Sequence, residues 1–294
     1  MNQNKKIGVV IVAYKNPQLT VKFVCSELAK VKSNIQVVIV NVASTFKDSE
    51  ELAQQCHANF ANHEGVFKSN NEENIYLIWT LENLGYANGN NLGVSFFLLN
   101  NAKCDYYLFT NDDIEILHPS ILEELIECAD NDQSIAGIGP KVTCLDGSPG
   151  SPIYQATSIV SLISAYFKSK LKIESKTSPV IDQPAKVYWI SGAFMLVKAN
   201  WFDKVGGFDS RTFLYYEEAI LAERFAAQGG HFYYYPKVEV IHFEGGSTKA
   251  TTTNKKKLEI IEKSRLLYYS EYRKEGWLSM FLYKFFYNIR NALS

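Results

Sequence analysis

At 294 residues, with 47% hydrophobic and 21% charged side chains, the chain can bury one large core or two smaller ones and is not a disordered segment. Thirty basic against 31 acidic side chains leave a net charge of −1, which argues against a general nucleic-acid binder. Five scattered cysteines with no C-x-x-C pair argue against a zinc site; they predict buried thiols in a reducing, cytoplasmic compartment.

Residues 7–13 are apolar and β-branched, which predicts a strand covered on both faces. An export signal is not expected here, because Lys15-Asn16-Pro17 follows without a small-residue cleavage site. Pro17 opens a predicted helix through residue 30. Strands follow at 35–40, 75–79 and 106–110, with helices at 48–56 and within 87–100. This alternation predicts a largely parallel α/β sheet, in which ligands sit beyond the carboxyl ends of the strands. Tyr14, Asn41 and Asn111-Asp112-Asp113 fall at such ends and can line one crevice.

A helix is predicted at 119–130 and a strand at 135–142. Segment 145–184, rich in proline and glycine, reads as a long excursion with some ordered pieces, suited to acceptor specificity. Strand character returns at 186–197, a helix at 217–227, and two short strands at 231–235 and 238–242 around Pro236. Residues 247–254 read as a flexible loop, and no stretch is long and apolar enough to span a membrane. Near the end, Trp277, Leu278, Phe281, Leu282, Phe285, Phe286 and Ile289 share one helical stripe, with Lys284, Asn288 and Arg290 off it. Packing on the catalytic core is the first expectation for that stripe; a peripheral membrane surface through residues 277–290 and a homodimer face remain open.

Two acidic sites and a histidine suit a metal-assisted transfer from a phosphate-bearing donor. Asp112 and Asp113 end an apolar strand, where carboxylate oxygens favour Mg²⁺ or Mn²⁺; the plainer reading is a capped turn. His242 ends another strand and can bind metal or phosphate; the plainer reading is a core histidine. Glu217 and Glu218 open a helix, where one can be a general base or both can simply complement the helix dipole. Lys249 and Lys255 to Lys257 are candidate diphosphate contacts, against the plainer reading of a solvated charge run.

Seven stretches in order carry a resemblance: Val9-Val10-Ile11-Val12-Ala13-Tyr14, Asn83 to Gly93, Asn111-Asp112-Asp113, Trp189 to Val197, Val205-Gly206-Gly207-Phe208-Asp209, Phe213 to Glu218, and Val240 to Ser247. Together they resemble the inverting glycosyltransferases of family 2, on the rhamnosyltransferase-like branch. The resemblance implies a GT-A fold, an α/β architecture with a Rossmann-like, mostly parallel central sheet flanked by helices, here with a helical C-terminal extension. It implies a catalytic domain over 1–250, with a nucleotide-sugar half to about 115 and an acceptor half from 116, then a loop and amphipathic helices over 251–294. The implied metal ligands are Asp113 and His242, holding Mg²⁺ or Mn²⁺. The implied base is Glu218, with Glu217 its competitor. Donor contacts are implied at Ala13, Tyr14, Asn41, Asn83, Gly89, Asn90, Asn111, Asp112, Ser191 and Gly192.

The implied activity moves a sugar from a nucleotide diphosphate-sugar donor to a saccharide or lipid-linked saccharide during bacterial surface polysaccharide assembly. dTDP-rhamnose is the first expectation for the donor and a UDP-sugar the second. The protein would sit in the cytoplasm or against the inner face of the cell membrane. Two departures stand out: Asn41-Val42-Ala43-Ser44 replaces the family's Asp-Asn-x-Ser, and Ile220 replaces a frequent acid. They keep open a catalytically silent carbohydrate-binding or scaffold subunit. A sugar nucleotidyltransferase or a dehydrogenase would need a glycine-rich first loop, and Ala13 to Pro17 contains no glycine.

Overall fold

The computed structural model describes residues 5–61, 67–68, 74–170, 182–243 and 254–292. The first strand, β1 (Ile7–Tyr14), is buried along most of its length. It pairs in parallel with β2 (Ile35–Val42) and β6 (Tyr106–Thr110). β5 (Ile75–Thr80) adds in parallel to β2, and β3 (Asn59–Ala61) to β5, with β4 (Phe67–Lys68) at that edge. On the other side come β10 (Phe194–Lys198), β8 (Ile135–Cys144), β11 (His231–His242) and β7 (Ile114–Ile116), while β9 (Ala185–Val187) pairs with β11 off the main path. The mostly parallel α/β sheet expected from the alternation is present.

Alternating side chains of β1 feed two cores. Val9 and Ile11 pack on one face with Phe23, Leu122 and Leu125. Val10 packs on the other with Phe97, Phe109 and Phe202. The helix α1 (Pro17–Lys22) starts on an Asn16 side chain that accepts from the Leu19 N–H. It then widens into a π turn over Phe23–Glu27 and tightens into a 3₁₀ turn over Leu28–Lys30. Buried Glu27 gives these turns a purpose: it accepts from Lys30 Nζ at 2.6 Å and from the Ile116 N–H at 2.8 Å, which pins β7. Three residues long, β7 left no periodic signal in the sequence.

The helix α2 (Phe46–Gln55) begins two residues before its expected start, and α3 (Gly85–Leu99) and α4 (Ile121–Asp130) lie where helices were expected. The excursion contains α5 (Ile159–Lys170). The strand expected over 186–197 is broken: β9 and β10 flank a turn at Gly192-Ala193, and α6 (Ala199–Val205) follows. α7 (Glu217–Ala226) agrees with expectation. Pro236 does not divide β11; a register shift against β8 between Tyr235 and Glu239 absorbs it. The loop expected at 247–254 lies outside the described residues except at its last position.

The C-terminal extension comprises α8 (Asn254–Leu267), a π turn over Tyr268–Tyr272 and α9 (Trp277–Ala292). A third cluster ties it to α7: Ala219 and Ile220 pack with Ile159, Tyr268, Tyr269 and Tyr283. The first expectation for the α9 stripe fails, because Trp277, Leu278, Phe281, Leu282 and Phe285 are exposed and the buried face carries Tyr283 instead. No helix among the described residues is long and apolar enough to cross a membrane. None of the five cysteines is in a disulfide, but Cys25 lies at the surface, against the buried-thiol expectation.

Candidate active site

The parallel strands β1, β2, β5 and β6 deliver their carboxyl ends to one edge of the sheet. β10 runs antiparallel to β6, with Phe194 opposite Thr110, so the start of β10 reaches that same edge. The Ser191-Gly192 turn thereby meets Asn111, whose N–H donates to Ala193 O at 3.0 Å. β11 runs parallel to β8 and ends there too, at His242, opposite Ile114 of β7. A cavity of about 610 Å³ opens at this edge. Its lining includes Tyr14, Asn83, Asn90, Asn111, Asp112, Asp113, Ser191, Gly192, Glu217, Glu218 and His242.

Three expected donor contacts lie elsewhere. Ala13 is buried in the core on β1. Gly89 is where α3 rests on β1, since a Cβ there would meet both methyls of Val12 at 2.9 Å. Asn41 is buried and donates to Ser44 Oγ and Ser49 Oγ at 2.9 and 3.0 Å, so its amide holds the β2–α2 turn. The lost charge at that position is thus accommodated locally. Asn83 reaches the cavity, and its Oδ1 also accepts from the Gly85 N–H at the start of α3. Glu115, two residues beyond Asp113 on β7, is absent from the lining.

Asp113 and His242 are 129 positions apart, yet Asp113 Oδ1 lies 3.1 Å from His242 Nε2. That approach is not an aligned hydrogen bond: Asp113 Oδ1 is buried with no hydrogen-bond partner among the described residues. Asn111 Nδ2 lies 3.3 Å from the same imidazole nitrogen. A buried carboxylate oxygen without a donor, beside an imidazole nitrogen, fits a divalent cation whose remaining positions come from a ligand's oxygens. Among the described residues no group of three or more His, Cys, Asp and Glu side chains could hold a cation. Asp112 instead accepts from Thr20 Oγ1 at 2.7 Å. Burial pushes its carboxyl up to about 6, with the Asp113 charge adding to the effect and the Thr20 bond opposing it.

Across the cavity, Glu218 Oε1 accepts from the Gly192 N–H at 3.0 Å. Tyr86, missed as a site residue although it lies within the asparagine-rich motif, donates its hydroxyl to Gly192 O at 2.8 Å. Burial and the two glutamates hold the Tyr86 phenol well above its ordinary range, so it remains a donor. Burial likewise raises both glutamates, Glu217 further through the Glu218 charge. Glu217 is the more buried, and its Oε1 has no hydrogen-bond partner among the described residues. Glu218 is half-buried and oriented by a backbone donor.

The backbone leading into this pair is itself unusual. Tyr215 and Tyr216 hold φ of 72° and 71°, a left-handed conformation that costs non-glycine residues energy and concentrates at functional sites. The extension braces them: Arg265 Nε donates to the Tyr216 hydroxyl at 2.9 Å, and Arg265 also donates to Tyr283 of α9 at 3.1 Å. Lys257, Ile260, Ile261, Tyr268 and Tyr269 of the extension line the cavity. No periodic signal marked α8, whose lysine-rich start hides its buried positions. The Gly206-Gly207-Phe208-Asp209 turn is packing rather than lining: Asn91 of α3 bonds both backbone groups of Phe208, at 2.9 and 3.0 Å.

A family model described as glycosyltransferase like family 2 matches residues 4–265. The N-acetylglucosaminyl-diphospho-decaprenol L-rhamnosyltransferase of Mycobacterium tuberculosis is 26% identical over 187 residues, 60% of this chain and 61% of that protein. Rhamnosyltransferase WbbL of Escherichia coli is 27% identical over 170 residues, 54% of this chain and 61% of that protein. The chain therefore spans 61% of the length of these curated relatives. Among solved structures, mannosyltransferase PcManGT from Pyrobaculum calidifontis, in complex with GDP-Man and Mn²⁺, superposes with a TM-score of 0.57 at 13% identity, covering 94% of this chain and 66% of that one.

Proposed function

The chain belongs to glycosyltransferase family 2 and has the GT-A fold, and from that premise we propose that it transfers a sugar, with inversion, from a nucleotide diphosphate-sugar to a saccharide hydroxyl. The observation that carries the reading is the placement of two chemistries on one cavity: the Asp113–His242 pair on one side and the Gly192-oriented Glu218 on the other. Asp113 and His242 would hold Mg²⁺ or Mn²⁺; when bound, the cation neutralises the charge of the departing diphosphate. The Mn²⁺ complex of the mannosyltransferase neighbour supports a divalent cation here.

In this reading the acceptor oxygen attacks the anomeric carbon from the side opposite the diphosphate. Glu218 takes the hydroxyl proton while the bond from carbon to the diphosphate oxygen breaks. One displacement inverts the centre and leaves no covalent intermediate. Burial that raises the Glu218 carboxyl makes it a better proton acceptor near neutral pH. Tyr86 and the Gly192 N–H fix the turn and carboxylate that meet the acceptor. Asn90 and Asn111 line the same cavity, with Asn111 beside His242.

The names of both relatives support rhamnose as the donor sugar, and the name of the Mycobacterium tuberculosis protein supports a lipid-linked saccharide as the acceptor. The departure at Ile220 does not favour a silent subunit: Ile220 is fully buried against Tyr268, Tyr269 and Tyr283, so the position anchors the extension. The deciding experiment combines dTDP-rhamnose or a UDP-sugar, Mn²⁺ and a lipid-linked N-acetylglucosaminyl acceptor, and follows release of nucleoside diphosphate. Release that requires both donor and acceptor supports transfer; donor binding without release under any pairing would refute it.

A further inference from the structure

We propose that the outer face of α9, extended by Phe167 of α5, docks flat on an anionic lipid bilayer. Trp277, Leu278, Phe281, Leu282 and Phe285 are each between 50% and 80% exposed. At i, i+4 spacing they form one continuous arc along a helix about 24 Å long. Phe167 is 52% exposed and joins the arc through ring contact with Phe286, their centroids 5.7 Å apart. So many large apolar groups on one surface exceed the scattered exposure usual for a soluble protein.

The helix cannot hide this arc by turning over, because its opposite side is already committed. Tyr283 is buried, donates to Glu262 Oε2 at 2.7 Å and accepts from Arg265 Nη1 at 3.1 Å. Two different apolar faces on one helix therefore need two different partners, and among the described residues only the inner one is present.

Charge selects the outer partner. Residues 254–294 hold nine Lys and Arg against four Glu, within a chain of net charge −1. Lys168, Lys274 and Lys284 are exposed on or beside the two helices. A second copy meeting this face about a two-fold axis would set like charges against each other. An anionic lipid surface complements them and takes up the Phe and Leu side chains below its headgroups, with the Trp277 indole at the interface. Since no described helix is long and apolar enough to span, the contact would lie in the plane of the bilayer. Residues of the same extension line the catalytic cavity, so docking would bring the cavity wall close to the membrane.

Bilayer docking is independent of the transfer chemistry and can be read without turnover. The intact protein is floated with vesicles of phosphatidylcholine alone and of phosphatidylcholine mixed with phosphatidylglycerol, at low and high salt. Preferential flotation with anionic vesicles, weakened by salt, is expected. The double variant F281E/F285E, at exposed positions outside the cavity, should keep its circular dichroism and melting temperature. Its partitioning should fall by about tenfold or more. Vesicle binding that is equal in the variant, or absent in the wild type, overturns the proposal. So does a wild-type dimer that the variant abolishes without any vesicle binding, which would assign the face to a second copy. Should the variant lose its fold, Trp277→Ala alone, read by flotation, decides instead.

Discussion

The Gly192 N–H donates to Glu218 Oε1 at 3.0 Å, joining a small-residue turn to an acidic helix start 26 positions later. The bond is possible because residue 192 has no side chain: a Cβ there would lie 2.5 Å from the carboxylate oxygen and 2.7 Å from the Tyr86 hydroxyl. Gly192→Ala should therefore displace Glu218 while the donor side stays intact. kcat is expected to fall by about 10²-fold, the usual effect of misplacing a reacting group by an ångström. Donor titration should show near-normal affinity, and a loss confined to affinity would contradict the role given to the turn.

Asp113→Ala should abolish, and His242→Ala should weaken, the dependence of nucleoside diphosphate binding on Mn²⁺. Calorimetry with and without the cation reads this directly, separately from turnover. Metal dependence preserved in both variants would remove the Asp113–His242 pair from the metal site.

Asp112 predicts a pH effect on stability without metal. Burial raises its carboxyl from 3.8 to about 6 in the folded protein. The folded state then holds the proton more tightly than the unfolded one, so this group's contribution to stability is full below the unfolded value and is lost as pH rises through about 6. Asp112→Asn removes the penalty of a buried charge and keeps an acceptor for Thr20. Its melting temperature should exceed that of the wild type at about pH 7.5, with the gain vanishing towards about pH 4. A gain independent of pH would show that burial of the Asp112 charge is not its source.

Much of this architecture was legible because it rests on local chemistry. β1, β2, β5 and β6 are apolar runs that can only be buried, and the acids and amides at their ends sit where parallel sheets bind ligands. What escaped depends on contacts distant in sequence. β7 owes its pairing to Glu27, 89 positions before the Ile116 N–H it binds. Asn41 looked like a donor contact at a strand end, but Ser44 and Ser49 are within reach of its amide. Gly89 resembled a ligand-contact glycine and is instead the close approach of a helix to Val12. The left-handed Tyr215 and Tyr216 are invisible as letters, because their brace, Arg265, comes from a helix about 50 residues later.

Ile220 offers a test of the extension's role. It stands where the family often has an acid, and it packs without exposure against Tyr268, Tyr269 and Tyr283. Ile220→Asp should not restore activity; it should cost about 3–5 kcal/mol by placing an uncompensated charge in an apolar cluster. Denaturant unfolding measures the cost, and protease sensitivity within 254–292 should rise as the extension detaches. A stable variant with enhanced turnover would show that the position belongs to the catalytic machinery.

The assignment of the base turns on two adjacent carboxylates that differ in setting. Glu218 is half-buried and oriented by the Gly192 N–H, whereas Glu217 is almost fully enclosed, with one oxygen lacking a hydrogen-bond partner among the described residues. Glu218→Gln keeps size and shape but cannot take a proton, so turnover should fall by about 10²- to 10⁴-fold with donor affinity nearly unchanged. A base must be ionised to act, and burial raises this one. The acid limb of kcat/KM should therefore lie above the ordinary glutamate range, with activity lost as pH falls through it, and the limb should vanish from the residual activity of the variant. Glu217→Gln is the control, because the Glu218 charge pushes Glu217 higher still and leaves it protonated over a wider range. It should retain most turnover and shift the acid limb only modestly. If Glu217→Gln is inactive while Glu218→Gln keeps more than about a tenth of wild-type activity, the base is Glu217. If both remain active, the pair serves only the start of α7, and the proton must leave through another group on the cavity.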